Sequence, residues 1–404
     1  MEYVYVSVDN SQFLTTDEKG EVNVTLLGEP NDTLVFQLTG YKTYRIWKGA
    51  LNRNTENTVE LQNSNISINE IVVSAMKWEH KAENLPLQVE VIDRQTIAFQ
   101  NPQTSADLLA QSNQVFVQKS QLGGGSPMIR GFATSRVLLV VDGVRMNNAI
   151  FRGGNIQNVL SIDPLSVQRS EILFGPSSVM YGSDALGGVM NFTTLTPQFA
   201  PSAGETRVNA NAMLRTATAN NERTAHIDFN IATNKFSSYT SISSSFFDDL
   251  EIGAFGDDFY TRPTFQVRGD SSDFTANNPN PNIQVNTGYE QFNAMQKFKY
   301  RANDNVIWEF DYHYSRLSDV PRYDRLTQTR NGNLRFGDWY YGPQEWQMAR
   351  LGYTFTEPVK AFDKLKFVGA WQRFNESRHD RNFNSDILEN RFEEVDAFSF
   401  NFDF

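Results

Sequence analysis

The sequence predicts a mainly β protein: a small N-terminal β-sandwich, then an α/β region, then the first part of an antiparallel β-barrel. Three observations indicate this order: short strand-like segments in residues 1–62, a glycine-rich mixture of helices and strands in residues 86–196, and long two-residue alternation in residues 205–404. A period of two places successive side chains on opposite faces of a strand. We therefore expect three regions of different architecture, with a linker at residues 63–85.

The N-terminal region consists of short alternating segments. They are Glu2–Val8, Glu21–Leu27, Asp32–Phe36 and Tyr44–Trp47. The turn sequence Asp17-Glu18-Lys19-Gly20 separates the first two, and no helical periodicity interrupts them, so we expect a partial β-sandwich over residues 1–62. Within the linker, Ile66–Ala75 has strong β-propensity but no neighbouring strand to pair with.

The α/β region begins with a predicted strand at Leu87–Ile92 and a helix at Ser105–Gln111, whose N-cap is Thr104 or Ser105. The apolar run Arg136–Val141 ends at the turn dipeptide Asp142-Gly143. The remaining predicted elements are a helix that opens at Asp163-Pro164 and strands at Arg169–Phe174 and Gly187–Thr194.

Alternation is strongest in the C-terminal half, where Val306, Trp308 and Phe310 oppose Glu309 and Asp311. A large soluble antiparallel sheet would alternate in the same way, so the pattern alone leaves both architectures open. Long polar connections between some strands and short ones between others favour a membrane barrel, and the 31 Phe and 15 Tyr of the chain suit its aromatic girdles.

Composition excludes several functional classes. A net charge of −11 argues against nucleic-acid binding, and the absence of cysteine excludes disulfides and thiol chemistry. No run of about 18 apolar residues provides a membrane-spanning helix. None of the four histidines has a second His or a Cys at metal-ligand spacing; they are His80, His226, His313 and His379. With no catalytic triad or carboxylate constellation either, we expect no metal site, no cofactor and no enzyme.

A set of short motifs occurs in one fixed order in the α/β region. The motifs are Met128–Phe132, Val137–Val144, Glu171–Pro176, Tyr181-Gly182 and Ala185–Asn191. Each alone indicates no more than a turn or a strand, but the ordered set resembles the plug domain of TonB-dependent outer-membrane receptors. The resemblance implies that residues 86–196 form a plug inside a barrel.

The same resemblance assigns structural roles within the plug. The matching positions are Arg130, Gly131, Asp142, Gly143, Glu171, Gly175, Tyr181, Gly187 and Gly188. Read without the family, the glycines supply turns with positive φ, and Arg130 and Glu171 are solvated charges. In the family, charges matching Arg130 and Glu171 face the inner barrel wall and help to hold the plug.

The β-prone linker segment lies where the family has its TonB box, the segment that binds the periplasmic partner TonB. The residues of the box are Ile68, Glu70, Ile71, Val72, Val73, Ser74 and Ala75, within residues 68–75. An extended β-branched segment can add itself as a strand to the sheet edge of a partner. The alternative is an ordinary last strand of the N-terminal sandwich.

Two segments are predicted to contact an extracellular ligand at the plug apex. The candidate residues are Gly123, Gly124, Gly125, Asn147, Asn148, Phe151 and Arg152. The triple glycine lacks the Lys-Ser/Thr of a phosphate-binding loop, so we expect a flexible apical loop. Residues 143–158 resemble receptors of the subgroup assigned to haem, haemoprotein or siderophore iron, which implies import of a scarce, bulky ligand of that kind.

Residues 1–62 resemble the carboxypeptidase-regulatory-like domain that precedes the plug in one subgroup of these receptors. The resemblance implies a barrel in outer-membrane lipid with this domain in the periplasm. A plugged transporter uses about 22 strands, whereas residues 205–404 supply only about 7–10, so we expect the natural protein to continue past Phe404. A signalling receptor of the same architecture and a passive adhesin or scaffold barrel are the alternative functions.

Overall fold

The computed structural model describes most of the chain. The described residues are 4–8, 12–17, 19–29, 31–38, 44–51, 57–61, 71–72, 80–81, 88–146, 148–150, 158–359 and 362–404. The chain divides into two compact units, Met1–Ile71 with Lys81–Asn84 and Val72–His80 with Leu85–Phe404. In the part of the chain that is described, no helix is both long enough and apolar enough to cross a membrane.

The first unit contains one antiparallel sheet in the order β2-β1-β3-β4. Its strands are β1 (Tyr5–Val8), β2 (Gln12–Thr15), β3 (Thr33–Gln37) and β4 (Tyr44–Trp47). One face buries Val6, Leu34 and Phe36. The strand predicted at Glu21–Leu27 is wrong: Val24–Leu26 is a 3₁₀ turn, because the Asn23 side chain accepts a hydrogen bond from the Thr25 amide and closes the turn.

Along the chain, two short strands and a mixed α/β region come after the first sheet and before the large sheet. Its elements are β5 (Ile71–Val72), β6 (His80–Lys81), β7 (Gln88–Asp93), α1 (Arg94–Gln100), α2 (Ser105–Ala110), β8 (Phe116–Gln118), β9 (Ser126–Met128), β10 (Val137–Val141), β11 (Val144–Arg145), β12 (Val167–Phe174), α3 (Ser178–Tyr181) and β13 (Gly188–Thr194). Five strands form a mixed sheet in the order β11-β10-β13-β12-β7. Thr104 caps α2 in a reciprocal capping box with Asp107, which confirms the predicted helix start.

Eight long strands form an antiparallel sheet in chain order, here called the wall. They are β14 (Arg207–Ala217), β15 (Glu222–Ala232), β16 (Phe236–Phe247), β21 (Tyr289–Asn303), β22 (Val306–Leu317), β27 (Gln344–Phe355), β28 (Leu365–Asn382) and β29 (Glu389–Asp403). The loops carry β17 (Leu250–Glu251), β18 (Thr264–Arg268), β19 (Asp273–Asn277), β20 (Ile283–Gln284), β23 (Val320–Pro321), α4 (Tyr323–Leu326), β24 (Thr329–Arg330), β25 (Asn333–Leu334) and β26 (Phe336–Tyr341).

The connections at the two ends of the wall differ in length, as predicted. One end, the short-turn end, has connections at residues 233–235, 304–305 and 356–364. The other, the long-loop end, has a tight turn at 218–221, long connections at 248–288 and 318–343, and a shorter one at 383–388. The predicted fold class, mainly β with a plug-like α/β region and a barrel-type sheet, is confirmed. β14 and β29 are the outermost long strands of the wall, β26 and β23 extend the same sheet from β28, and the sheet is not closed.

The two faces of the wall have opposite chemistry. The outer face exposes apolar side chains such as Ile227, Phe310 and Phe400. The inner face packs against the α/β region and buries polar side chains, among them Asp228, Lys297 and Arg350. Near the long-loop end, an apolar group on the inner face joins the core of the α/β region; it comprises Phe247, Tyr289, Leu317, Trp346 and Phe374. The alternation in the sequence therefore marks the inner and outer faces correctly.

Candidate functional site

Asp142 lies at the centre of the contact between the α/β region and the wall, here called the seat. This residue follows β10 in a turn with φ +49°, which Asp tolerates better than most side chains do. Its carboxylate accepts hydrogen bonds from the amide and the hydroxyl of Thr194, at 2.9 and 2.7 Å. Across the interface, Lys297 Nζ lies 2.9 Å and His313 Nε2 lies 3.3 Å from Asp142 Oδ2. All four side chains are largely buried, so a charged contact joins the region to the wall.

Further charges on the wall surround this contact. Arg350 pairs with Asp311 at 2.5 Å and with Glu309 at 3.2 Å, and all three lie on neighbouring strands. Burial raises the pKa of Asp142, but Lys297, His313 and Arg350 together lower this pKa well below its usual range. The carboxyl of Asp142 is therefore ionised, and the cluster alternates positive and negative groups.

Amide side chains of the wall also bind the backbone of the α/β region. Gln291 Nε2 donates to the Leu160 carbonyl at 2.7 Å, and Gln372 Nε2 donates to the Arg145 carbonyl at 2.8 Å. Such contacts give these carbonyl groups a hydrogen-bond partner at the interface. The seat therefore combines hydrogen bonds and ion pairs with the apolar group near the long-loop end.

Arg130 and Glu171 both make contacts within the α/β region. Arg130 Nη2 donates to Gln88 Oε1 at 2.5 Å, and its guanidinium lies 5.2 Å from the centre of the Phe174 ring. Glu171 is fully buried, pairs with Arg169 at 3.1 Å and accepts a hydrogen bond from Asn191 at 3.1 Å. A plug charge that contacts the wall is found at Asp142, to which the sequence analysis assigned only a structural role in a turn.

The glycines of the motifs occupy crowded or turned positions. At Gly187 an added Cβ would lie 2.2 Å from Phe132, and at Gly188, with φ +156°, it would lie 2.4 Å from the Leu173 carbonyl oxygen. Four further glycines of the motifs have positive φ; they are Gly131, Gly143, Gly175 and Gly182. Tyr181 ends α3, and burial together with the nearby carboxylates of Glu171 and Asp403 raises the pKa of its hydroxyl. Close packing and positive φ both favour glycine over other residues at these positions.

The triple glycine is buried, whereas the sequence suggested a free apical loop. A Cβ on Gly123 would lie 2.8 Å from Val320 and 2.9 Å from Tyr289, both of which belong to the wall or its loops. A Cβ on Gly125 would lie 2.4 Å from Ala106 of α2. The glycines therefore allow close packing against two neighbours, because any larger side chain would have to displace one of them.

Several predicted site residues lie outside the described part of the chain, and a few of their neighbours lie within it. Asn148 is described, and its side-chain oxygen accepts a hydrogen bond from the Ile150 amide at 2.8 Å. Of the box, Ile71 and Val72 form β5. The others fall outside the described residues: Ile68, Glu70, Val73, Ser74, Ala75, Asn147, Phe151 and Arg152. Among the described residues, no group of three or more His, Cys, Asp or Glu is placed to hold a metal ion.

Ion pairs at the long-loop end tie three loops together. Arg381 pairs with Asp273 at 2.6 Å and with Asp338 at 2.6 Å, while the Asn384 amide donates to Asp273 at 2.6 Å. Burial raises the pKa of Asp273, but the hydrogen bonds from Arg381 and from the Asn384 amide outweigh burial and lower this pKa. Sequence reasoning missed this cluster, since Asp273 and Arg381 are 108 positions apart.

Sequence comparison places the α/β region in a known family. Residues 81–189 match the family model of the TonB-dependent Receptor Plug Domain. The chain is 33% identical over 139 residues to the hemin receptor of Yersinia pestis, a match covering 34% of this chain and 20% of that protein. It is 34% identical over 132 residues to the vitamin B12 transporter BtuB of Vibrio vulnificus, covering 32% and 21%. The matched part is therefore about a fifth of the length of these relatives.

Structural comparison extends the likeness to the wall. The fold is similar to that of the FrpB iron transporter from Neisseria meningitidis, with a TM-score of 0.60 at 13% identity over 78% of this chain and 45% of that one. It is also similar to the ferric enterobactin receptor of Pseudomonas aeruginosa, with a TM-score of 0.52 at 16% identity over 77% and 46%. The sequence relatives named are a receptor and a transporter, not enzymes. Residues 81–189 therefore match a TonB-dependent receptor plug domain, and the α/β region and wall together share the fold of these neighbours.

Proposed function

We propose that the protein is an outer-membrane receptor that uses TonB to import a scarce, bulky ligand containing iron: haem, a haemoprotein or a ferric siderophore. The sequence relatives include a hemin receptor, and the structural neighbours include an iron transporter and a ferric enterobactin receptor. A vitamin B12 transporter is among the relatives as well, so cobalamin is the ligand class that competes with iron.

The observation that carries the proposal is the partly polar seat of the plug at Asp142. Ion pairs and hydrogen bonds can be exchanged for contacts with water, so a plug held in this way can be loosened and reseated by a modest pull. The pull would enter at residues 68–75, where the segment containing β5 would add itself to the sheet edge of TonB. Force along the linker would then reach β7, the edge strand of the plug sheet.

The ligand would bind on the extracellular side, at the long-loop end of the wall. The candidate contacts are Asn147, Asn148, Phe151 and Arg152, together with the loops tied by Asp273. Because the triple glycine is buried against Tyr289 and Val320, its role would be to shape the seat below the ligand. The apolar outer face would lie in outer-membrane lipid and the first unit in the periplasm.

The test uses the full-length gene in its own host, with Val72 and Val73 both changed to Pro. Proline removes the amide donors that strand addition to TonB requires. We expect ligand binding and membrane level to persist, while growth fails on haem or a ferric siderophore as sole iron source. The matched control changes Ser64 and Asn65 to Pro, which places two prolines in the same linker outside the box, and should leave growth intact.

The other outcomes separate the alternatives. Unchanged growth of the Val72→Pro, Val73→Pro variant on every iron source would overturn energised iron import and favour a passive adhesin or scaffold. Intact growth on iron with lost uptake of cyanocobalamin would keep the receptor and replace the ligand class. Loss of ligand-dependent gene expression with intact uptake would indicate a signalling receptor.

A further inference from the structure

Lys297 of β21 is a buried cation of the wall whose counter-charge comes from the plug. Its Nζ lies 2.9 Å from Asp142 Oδ2, and its side chain is only 3% exposed. Asp311 is directly opposite Lys297 on β22 but pairs with Arg350. Among the described residues, Asp142 is therefore the only carboxylate that pairs with Lys297. Once the plug withdraws, the described part of the wall offers this ammonium group no carboxylate.

The neighbouring carboxylates of the wall are already paired with other cations. Asp311 lies 2.5 Å from Arg350, and Glu309 lies 3.2 Å from Arg350 and 3.4 Å from Lys299 Nζ. Arg350 is 5% exposed, and its Nε has no hydrogen-bond partner among the described residues. Because a buried donor without an acceptor is unfavourable, an additional negative group beside Arg350 would be stabilised.

The surplus of positive charge continues from Lys297 toward the short-turn end. Lys297, Lys299 and Arg301 alternate along β21 and so lie on its inner face. The Arg301 guanidinium lies 4.2 Å from the centre of the Phe199 ring, and no carboxylate of the described residues forms an ion pair with it. Asp142 aside, this part of the inner face of β21, β22 and β27 therefore has more cations than carboxylates.

We propose that Lys297 and Arg350 form an anion site of the wall, which Asp142 fills while the plug is seated and which an anionic group of the ligand enters once the plug withdraws. A carboxylate or another oxyanion would accept the charge-assisted hydrogen bond that Lys297 now donates to Asp142. Arg301 is the next cation of the same row without a carboxylate. The site favours a ligand with negative groups, such as the propionates of haem, over cyanocobalamin, which has no net charge.

An anion that replaces Asp142 also lowers the cost of withdrawing the plug. Breaking a buried ion pair is strongly unfavourable when one charge is left alone, but much less so when a second anion takes the vacated position. The ligand itself would thus assist the movement that lets it pass. The passage of ligand through the site rests on the proposed function, whereas the existence of the site does not.

Chemical rescue of the full-length receptor in detergent micelles tests the site. Asp142→Gly removes the carboxylate, leaves space for a small anion and suits the positive φ of this position. Thermal unfolding is compared in sodium formate and in sodium chloride at equal ionic strength, so that charge screening is the same. We expect formate to raise the midpoint of Asp142→Gly by about 2–4 °C more than that of wild type, because formate binds the seated plug and wall.

The matched control is the double variant Asp142→Gly, Lys297→Met, which lacks the cation that would bind formate and should respond as wild type does. Asp142→Ser is a second variant in case Asp142→Gly does not assemble; its short side chain also leaves space, so formate should stabilise it as well. The site would be overturned if formate stabilised neither single variant more than wild type. It would also be overturned if the response persisted without Lys297.

Uptake of hemin by cells of the native host tests the passage of ligand. The double variant Asp142→Asn, Lys297→Met removes the site without leaving either charge alone. We expect its uptake to slow by about tenfold or more at unchanged surface binding, as expected for the loss of a hydrogen bond to a charged group. Arg145→Met, Asp184→Asn, which removes an ion pair within the plug, is the control and should import hemin as wild type does.

Equal uptake in the double variant and in wild type would overturn the passage of ligand through the site. A wild-type receptor that imports no hemin would count against the proposed function, whereas the formate response decides the site.

Discussion

Asp142 of the plug and Lys297 of the wall form an ion pair at 2.9 Å in which the two side chains are only 6% and 3% exposed. The two residues lie 155 positions apart in the chain, and each also contacts a residue on its own side of the interface. A buried pair of this kind adds little net stability, but breaking it leaves a charge without a partner. It therefore sets where the plug sits more than how stable the protein is.

Asp142→Asn should weaken the seating of the plug by about 3–5 kcal/mol, since it leaves Lys297 buried and uncompensated. Asn tolerates the positive φ of this position, so the loss reports on charge instead of backbone strain. The measurement is the denaturant midpoint for plug unfolding in the full-length receptor. Adding Lys297→Met should restore part of the loss, because it removes the orphaned charge. Asp184→Asn, which breaks the more exposed pair with Arg145, is the control and should cost at most about 1 kcal/mol; an equal loss would contradict the prediction.

Acid should unseat the plug through Asp142. Because its pKa is lowered in the seated plug, the stability that its charge provides is fully present above the ordinary Asp pKa of about 3.9 and disappears as the pH falls through the seated value. We expect the midpoint of plug unfolding to decrease below about pH 4. The decrease should be smaller in Asp142→Asn; an identical decrease in that variant would assign it to other carboxyls.

Gly123→Ala should destabilise the plug by about 1–3 kcal/mol, because the added methyl group would press on both Val320 and Tyr289. Thermal unfolding of the purified receptor measures this effect. Gly253→Ala is the matched control: Gly253 is exposed in the 248–288 loop, and nothing lies within 4 Å of the added carbon. If both variants unfolded at the wild-type temperature, the glycine would not be closely packed.

Asp273→Asn should loosen the loops at the long-loop end without affecting the wall. The substitution removes the charge that holds Arg381 and weakens the bond to the Asn384 amide. We expect trypsin added to intact cells to cleave the receptor faster at Arg268 and Arg381, while the amount of receptor stays unchanged. Asp270→Asn, on the exposed part of the same loop, should leave the cleavage rate as in wild type, and faster cleavage in both variants would show that the pairing is irrelevant.

Local patterns in the sequence predicted much of the fold. Alternation identified the inner and outer faces of the wall, and Thr104 correctly marked the start of α2, because both depend on neighbours in the chain. The contacts of the candidate site depend on residues far apart in the sequence, which no local pattern encodes. Asp142 was therefore read as a turn, and the loop cluster at Asp273 was missed.

The contacts between the plug and the wall differ between the long-loop end and the short-turn end. Aromatic and aliphatic side chains of the wall, among them Phe247 and Trp346, pack against the plug near the long-loop end, whereas Lys297, Glu309 and Arg350 are charged groups nearer the short-turn end. Water can solvate the charged groups as they separate from the plug, whereas exposing the apolar side chains to water is unfavourable. Separating the plug from these charged groups should consequently cost less than separating it from the apolar side chains.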